Sequence, residues 1–143
     1  MAIYDIHTTM FTKNAIPPLS FSGDAPTTSA PIDLIGYNAL EFVLNLGAIT
    51  PGTIGNTFSV TLTENDIDDS GSATPVPVQY VLGSADFTGL DGGNDFRIGY
   101  IGKKRYVWLT VTPAGNTTAQ IGCVAILGVP GVAATPENLA LTP

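Results

Sequence analysis

Apolar and polar residues alternate along much of this chain, and glycine or proline breaks the alternation at short intervals. Leu40, Phe42, Leu44 and Leu46 are interleaved with Ala39, Glu41, Val43 and Asn45; Phe58, Val60 and Leu62 are interleaved with Thr57, Ser59, Thr61 and Thr63. A strand sends successive side chains to opposite faces, so this spacing predicts strands over 38–46 and 57–63, each with one face against a core. Short apolar runs predict further strands at 32–35, 76–82 and 119–127; Pro75 and Pro77 at the start of the second suit an edge or a strand start. Residues 96–101 and 105–112 are aromatic and β-branched runs around Gly102-Lys103-Lys104, and they predict a hairpin with a short turn. Residues 64–74 and 86–95 are acidic and glycine-containing and predict loops, and 113–116 predicts a turn. No window carries a capped helical period. The fold class expected is all-β: an antiparallel β-sandwich or barrel of about seven or eight short strands.

The ends depart from this pattern. Pro17, Pro18, Gly23 and Pro26 interrupt residues 1–29, yet Ile3, Tyr4, Met10, Phe11, Ile16, Leu19 and Phe21 keep the segment apolar. It reads as an extended N-terminal arm lying on its own domain or on a neighbour. Residues 130–143 contain Pro130, Pro136 and Pro143 without periodicity and read as an extended C-terminal tail. Residues 30–129 between them form the expected β-sandwich core, and 143 residues suit one domain.

Composition narrows the setting. Apolar residues make up 44% of the chain and charged residues only 12%, about half the usual charged share, so the chain should fold and expose a largely polar-neutral or partner-covered surface. A net charge of -7 disfavours nucleic acid and anionic membranes as partners. No stretch approaches the roughly 20 apolar residues that cross a bilayer. The first residues lack the basic start and apolar core of a signal peptide, so synthesis and assembly in a reducing cytoplasm are expected. Cys123, the sole cysteine, lies in the apolar run 121–127 and reads as a buried structural thiol.

Candidate chemistry is sparse. Asp66, Asp68, Ser70 and Gly71 imitate the start of an EF-hand loop, but Pro77 stands where the bidentate glutamate belongs and no helix flanks the loop. His7 is the only histidine, which removes most zinc sites and general-base schemes. Gly99 and Gly102 lack the strand–helix setting of a phosphate loop. No catalytic residue, cofactor or metal is assigned, and the protein is not expected to be an enzyme. The strongest local feature is Arg97, Lys103, Lys104 and Arg105 among Tyr100, Tyr106 and Trp108, which holds four of the five basic residues. It reads as a cluster of ion pairs within the chain or between subunits; exposed aromatics there would also suit a carbohydrate platform. The candidate interface residues are Arg97, Lys103, Lys104, Arg105, Tyr106 and Trp108, with Phe11 and Phe21 from the arm.

Several of these segments resemble a family encoded beside the major capsid protein of tailed phages. The similarity lies in Ile32-Asp33-Leu34-Ile35-Gly36-Tyr37-Asn38, in Thr61-Leu62-Thr63-Glu64-Asn65-Asp66, in residues 97–109, where Trp108 takes a place often held by arginine, and in Ile126-Leu127-Gly128-Val129-Pro130. It spans about residues 32–130 and leaves the arms uncovered. The resemblance implies a capsid decoration (cement) protein on the outer surface of the phage head, made in the host cytoplasm. Its implied partners are the major capsid protein and itself, as a homotrimer. The alternatives are another virion component, such as a head–tail connector or tail protein, and a carbohydrate-binding β-sandwich for host adhesion.

Overall fold

The computed structural model describes residues 7–130. Its strands in chain order are β1 (Met10–Ser22), β2 (Thr27–Thr28), β3 (Ile32–Asp33), β4 (Tyr37–Thr50), β5 (Thr57–Asn65), β6 (Thr74–Pro75), β7 (Val81–Leu82), β8 (Phe87–Thr88), β9 (Asp95–Tyr100), β10 (Tyr106–Ala114) and β11 (Thr118–Pro130). One sheet has the order β1-β11-β4-β9-β7. The other runs β2-β10-β5-β6, with β3 also on β10 and β8 also on β5. The expected all-β sandwich is therefore the fold. Taking β2 with β3 and β6 with β8 as single interrupted strands, and β7 as an extra edge pairing, gives the orders 1-8-3-6 and 2-7-4-5. That is the double Greek key of a jelly roll.

The alternation read from the sequence sets the faces. Leu40, Phe42, Leu44 and Leu46 of β4 and Phe58, Val60 and Leu62 of β5 point into the core, where Val107, Leu109 and Val111 of β10 meet Ile121, Cys123, Ala125 and Leu127 of β11. Phe58 stacks on Phe87 with ring centroids 4.4 Å apart, and Phe87 on Phe96 at 5.7 Å. This aromatic row adds offset-stacking energy to the area that it buries.

Three expectations are corrected. Residues 96–113 do not form a hairpin: β9 lies in the first sheet beside β4, β10 lies in the second beside β5, and residues 101–105 cross between the layers. Alternation specifies which side chains face inward, and that requirement is met equally well when consecutive strands face each other across a core. Residues 76–82 are not one strand. Pro75 and Pro77 lack the N–H donors of a ladder, so pairing is limited to β6, a 3₁₀ turn at Val78–Tyr80, and β7.

The third concerns the arm. Its residues 10–22 are β1, the edge strand of the first sheet, with Ala15, Ile16 and Phe21 buried. Pro17 and Pro18 are tolerated because they fall on an edge, at a register shift between Ile16 and Leu19 where no ladder bond is required. Residues 1–6 and 131–143, which belong to the expected arm and tail, lie outside the described residues.

Candidate interaction surface

The crossing from β9 to β10 is built around Tyr100. Its side chain is 2% exposed. Its hydroxyl donates to Glu64 Oε2 at 2.6 Å and accepts from the Lys104 backbone N–H at 3.0 Å. Burial first, and then the bond to Glu64, push the Tyr100 hydroxyl well above the usual tyrosine range. The ring lies against the backbone of Gly102, where a Cβ would sit 2.3 Å from the Tyr100 hydroxyl oxygen. Glycine is needed here for space.

The basic residues decorate this corner. Arg105 grips Asp33 with two parallel bonds, Nε to Oδ1 and Nη2 to Oδ2, both 2.9 Å. That hydrogen bond holds the Asp33 carboxyl below the usual carboxylate range and raises the Arg105 guanidinium further. The Arg105 guanidinium also lies 5.0 Å from the centroid of the Tyr106 ring. Lys104 pairs with Asp66, and the bond holds the ammonium above its ordinary range. Lys103 makes no ion pair among the described residues. Lys103, Lys104 and Arg105 rim a cavity of about 410 Å³ whose apolar lining includes Leu34, Ile35 and Tyr37.

The other candidates are dispersed. Arg97 sits on the outer face of the first sheet, 3.8 Å from Glu41. Phe11 meets Tyr37 edge-to-face at 5.2 Å. Phe21 is 5% exposed and belongs to the core. Trp108 is 3% exposed on the outward side of β10, with Tyr106 stacked beside it. With Tyr100 and Trp108 both buried, the three aromatics do not assemble an exposed ligand platform. Phe21 and Trp108 are unavailable as contact surface for the same reason.

The EF-hand-like loop uses its polar atoms on itself. Asp69 accepts from the Gly71 N–H and the Ser72 hydroxyl, which hold its carboxyl below the ordinary range, the Ser72 bond contributing most. The Asn65 amide donates to Asp69 O and Ser72 Oγ. Asp66 is turned to Lys104.

Large apolar side chains outside the core form surface that the sequence reading missed. Val78 is 86% exposed, and Leu82 and Ile101 are each 50% exposed along the β7 edge. Ile54 and Leu90 project from loops at the other end of the sandwich. The signal available in the sequence is an aliphatic residue inside a turn-forming segment, as with Ile54 between Thr53 and Gly55. Core packing has no use for it there.

No family model matches the chain, and no curated protein matches it in sequence. The similarity is in the fold. The PBSX exported protein XepA aligns over 85% of this chain with a TM-score of 0.58 and 9% identity; the chain spans only 38% of the length of XepA. A chain of the capsid of Ralstonia phage GP4 aligns with a TM-score of 0.52 and 14% identity, over 86% of this chain and 84% of its own.

Proposed function

We propose that this protein is a virion structural protein, and specifically a decoration protein that binds the outer surface of a tailed-phage head. The observation that carries the reading is the near end-to-end agreement of its jelly roll with a chain from the capsid of Ralstonia phage GP4, 86% of one and 84% of the other. A chain of nearly the same extent with a similar fold is part of that capsid. The sequence motifs over residues 32–130 support the same assignment. The partners on this reading are the major capsid protein and two further copies of the chain. Its action is mechanical, with no reaction and no cofactor.

The surface chemistry fits such a role. Exposed Val78, Leu82 and Ile101 supply apolar contact, and Lys103, which makes no ion pair among the described residues, supplies a cation at one end of the sandwich. Each contact repeated over a shell contributes modestly, and the array stabilises through multivalency. The test is to mix the purified chain with expanded capsids that lack it and image them by cryo-electron microscopy. Ordered density on the outer surface, together with a higher temperature of capsid disruption, is expected. Unoccupied capsids at saturating protein, or density confined to the portal or tail, would reject the decoration role. Light scattering on the free protein tests the trimer.

A further inference from the structure

The outer face of the five-stranded sheet is interrupted by bulges that converge on one place. Against β11, β1 shifts register between Asn14 and Ile16 and again between Ile16 and Leu19, which sets Pro17 and Pro18 opposite Gly122. On the other side of β11 the register shifts between Ala119 and Ile121, which sets Gly47 and Ala48 of β4 opposite Gln120. Bulges bend a strand and re-aim its side chains, and they recur beside binding sites. Here they flank a groove of about 580 Å³ that crosses β1, β11, β4 and the start of β9. Gly47 has a direct part in shaping it: a Cβ there would lie 2.9 Å from Gln120 Oε1, so glycine lets that amide lie along the groove wall.

The lining is chemically selective. Val43, Val124 and Pro18 form an apolar strip, and Val124 is 41% exposed although it sits in mid-strand. Around the strip stand Asn14, Ser20 and Gln120, whose side chains have no hydrogen-bond partner among the described residues. The Asn45 amide donates to the Asp95 carboxylate at one end. Among the described residues no lysine or arginine lines the groove, and Arg97, paired across from Val43, stands beside it.

We infer that this groove binds a neutral saccharide. A pyranose ring presents an apolar C–H face and a rim of hydroxyls that both donate and accept. The valine–proline strip suits the former. Amides and a carboxylate, each able to engage neighbouring hydroxyls, suit the latter. An anionic ligand meets Asp95 and the net charge of -7, and the nearest cation, Arg97 across from Val43, already lies 3.8 Å from Glu41. A metal ion finds only one carboxylate. A peptide strand adds to a sheet edge, whereas this groove crosses a sheet face. The site lies at the Asp95 end of β9, and the Lys103 corner follows its Tyr100 end. It uses none of the aromatics first considered for sugars, and it does not depend on the capsid role.

The test uses the full chain on an array of defined neutral oligosaccharides (hexoses, N-acetylhexosamines and deoxyhexoses). Titration calorimetry then follows with each oligosaccharide retained. Asn45→Ala, Asp95→Ala and Gln120→Ala are exposed substitutions, and circular dichroism checks their fold. Each is expected to weaken binding at least tenfold, while Thr61→Ala on the opposite sheet leaves it unchanged. Amide shifts on titration are expected at Val43, Gly122 and Val124. Retention of no oligosaccharide overturns the inference, as does binding that is indifferent to all three groove substitutions. Either failure leaves the capsid-binding experiment unaffected.

Discussion

The Tyr100 hydroxyl donates to the Glu64 carboxylate at 2.6 Å, and this bond ties the two sheets together where the chain passes from one to the other. Tyr100 ends β9 in the first sheet and Glu64 is near the end of β5 in the second. Glu64 is only 7% exposed, and a carboxylate that deep is costly without a donor. The same hydroxyl accepts the Lys104 N–H, so one oxygen closes the interlayer bond and the turn that follows it.

Tyr100→Phe keeps the ring and removes both bonds. Leaving a buried carboxylate without its donor is expected to cost about 2–3 kcal/mol, read by urea denaturation at pH 7. The wild-type protein should also show an alkaline limit. Because the folded-state pKa of Tyr100 is raised, its contribution is complete below the unfolded value near 10 and fades as pH rises above it. Tyr100→Phe should lose less stability between pH 9 and about 11 than wild type does. Equal losses in the two proteins would show that Tyr100 is not the group responsible.

Gly102→Ala places a methyl group where the Tyr100 ring already lies, 2.4 Å from Cζ. Overpacking of this kind is expected to cost about 1–3 kcal/mol. The clash is with one side chain, so a double-mutant cycle should expose it: in a Tyr100→Ala background the same substitution should be close to neutral. An unchanged penalty there would place the strain in the Gly102 backbone.

The contrast between β5 and this corner shows what sequence pattern conveys. Phe58, Val60 and Leu62 announced their inward face because a period of two maps directly onto a half-buried strand. Ile98 and Tyr100 announced theirs too, but a pattern of faces does not say which sheet a strand joins. The partner of β9 is β4, about fifty residues earlier, and that pairing depends on tertiary packing. Pro17 and Pro18 look like strand breakers until β1 is known to be an edge. Gly47 and Gly122 look like isolated glycines until register sets them beside a bulge. The ion pairs were legible as a cluster, whereas their partners Asp33 and Asp66 emerge only once β3 and the 65–73 loop are seen to flank the crossing.

Asp86→Ala should open the free edge of β5. Between its pairings with β8 at 57–58 and β6 at 63–64, the Val60 N–H donates to the Asp86 carboxylate at 2.7 Å. Removing that plug is expected to cost about 1 kcal/mol and to expose an unpaired donor on an edge strand. Light scattering at increasing protein concentration should show association in the variant at concentrations where wild type stays unchanged.

The Arg105–Asp33 pair predicts an acid-side dependence of opposite sign. The folded-state pKa of Asp33 is lowered, chiefly by its bond to Arg105, so its contribution is present above the unfolded value near 4 and is lost as pH falls through the folded one. Asp33→Asn should therefore be less stable than wild type at pH 7, by a modest amount because the pair is partly solvated. The two denaturation midpoints should converge below about pH 4. A difference that persists at pH 2 would assign the effect to the Asp33–Ile35 turn instead of the ion pair.

Cys123 offers a readout of global unfolding that needs no substitution. It is 1% exposed at the centre of β11, and burial pushes its thiol up to about 12. The thiolate is the reactive form, so at pH 8 the folded protein should resist Ellman's reagent and iodoacetamide while the denatured chain reacts freely. β11 pairs with β1 on one side and β4 on the other, and it is the strand that holds the first sheet together. Exposure of Cys123, which faces the core, therefore requires the sheets to separate or one of those pairings to open. With reagent in excess, the labelling rate under native conditions should follow the unfolding equilibrium, and Tyr100→Phe should raise it in proportion to its loss of stability. Labelling that is fast in the native protein and insensitive to Tyr100→Phe would mean that β1 detaches from β11 locally, with the rest of the sandwich intact.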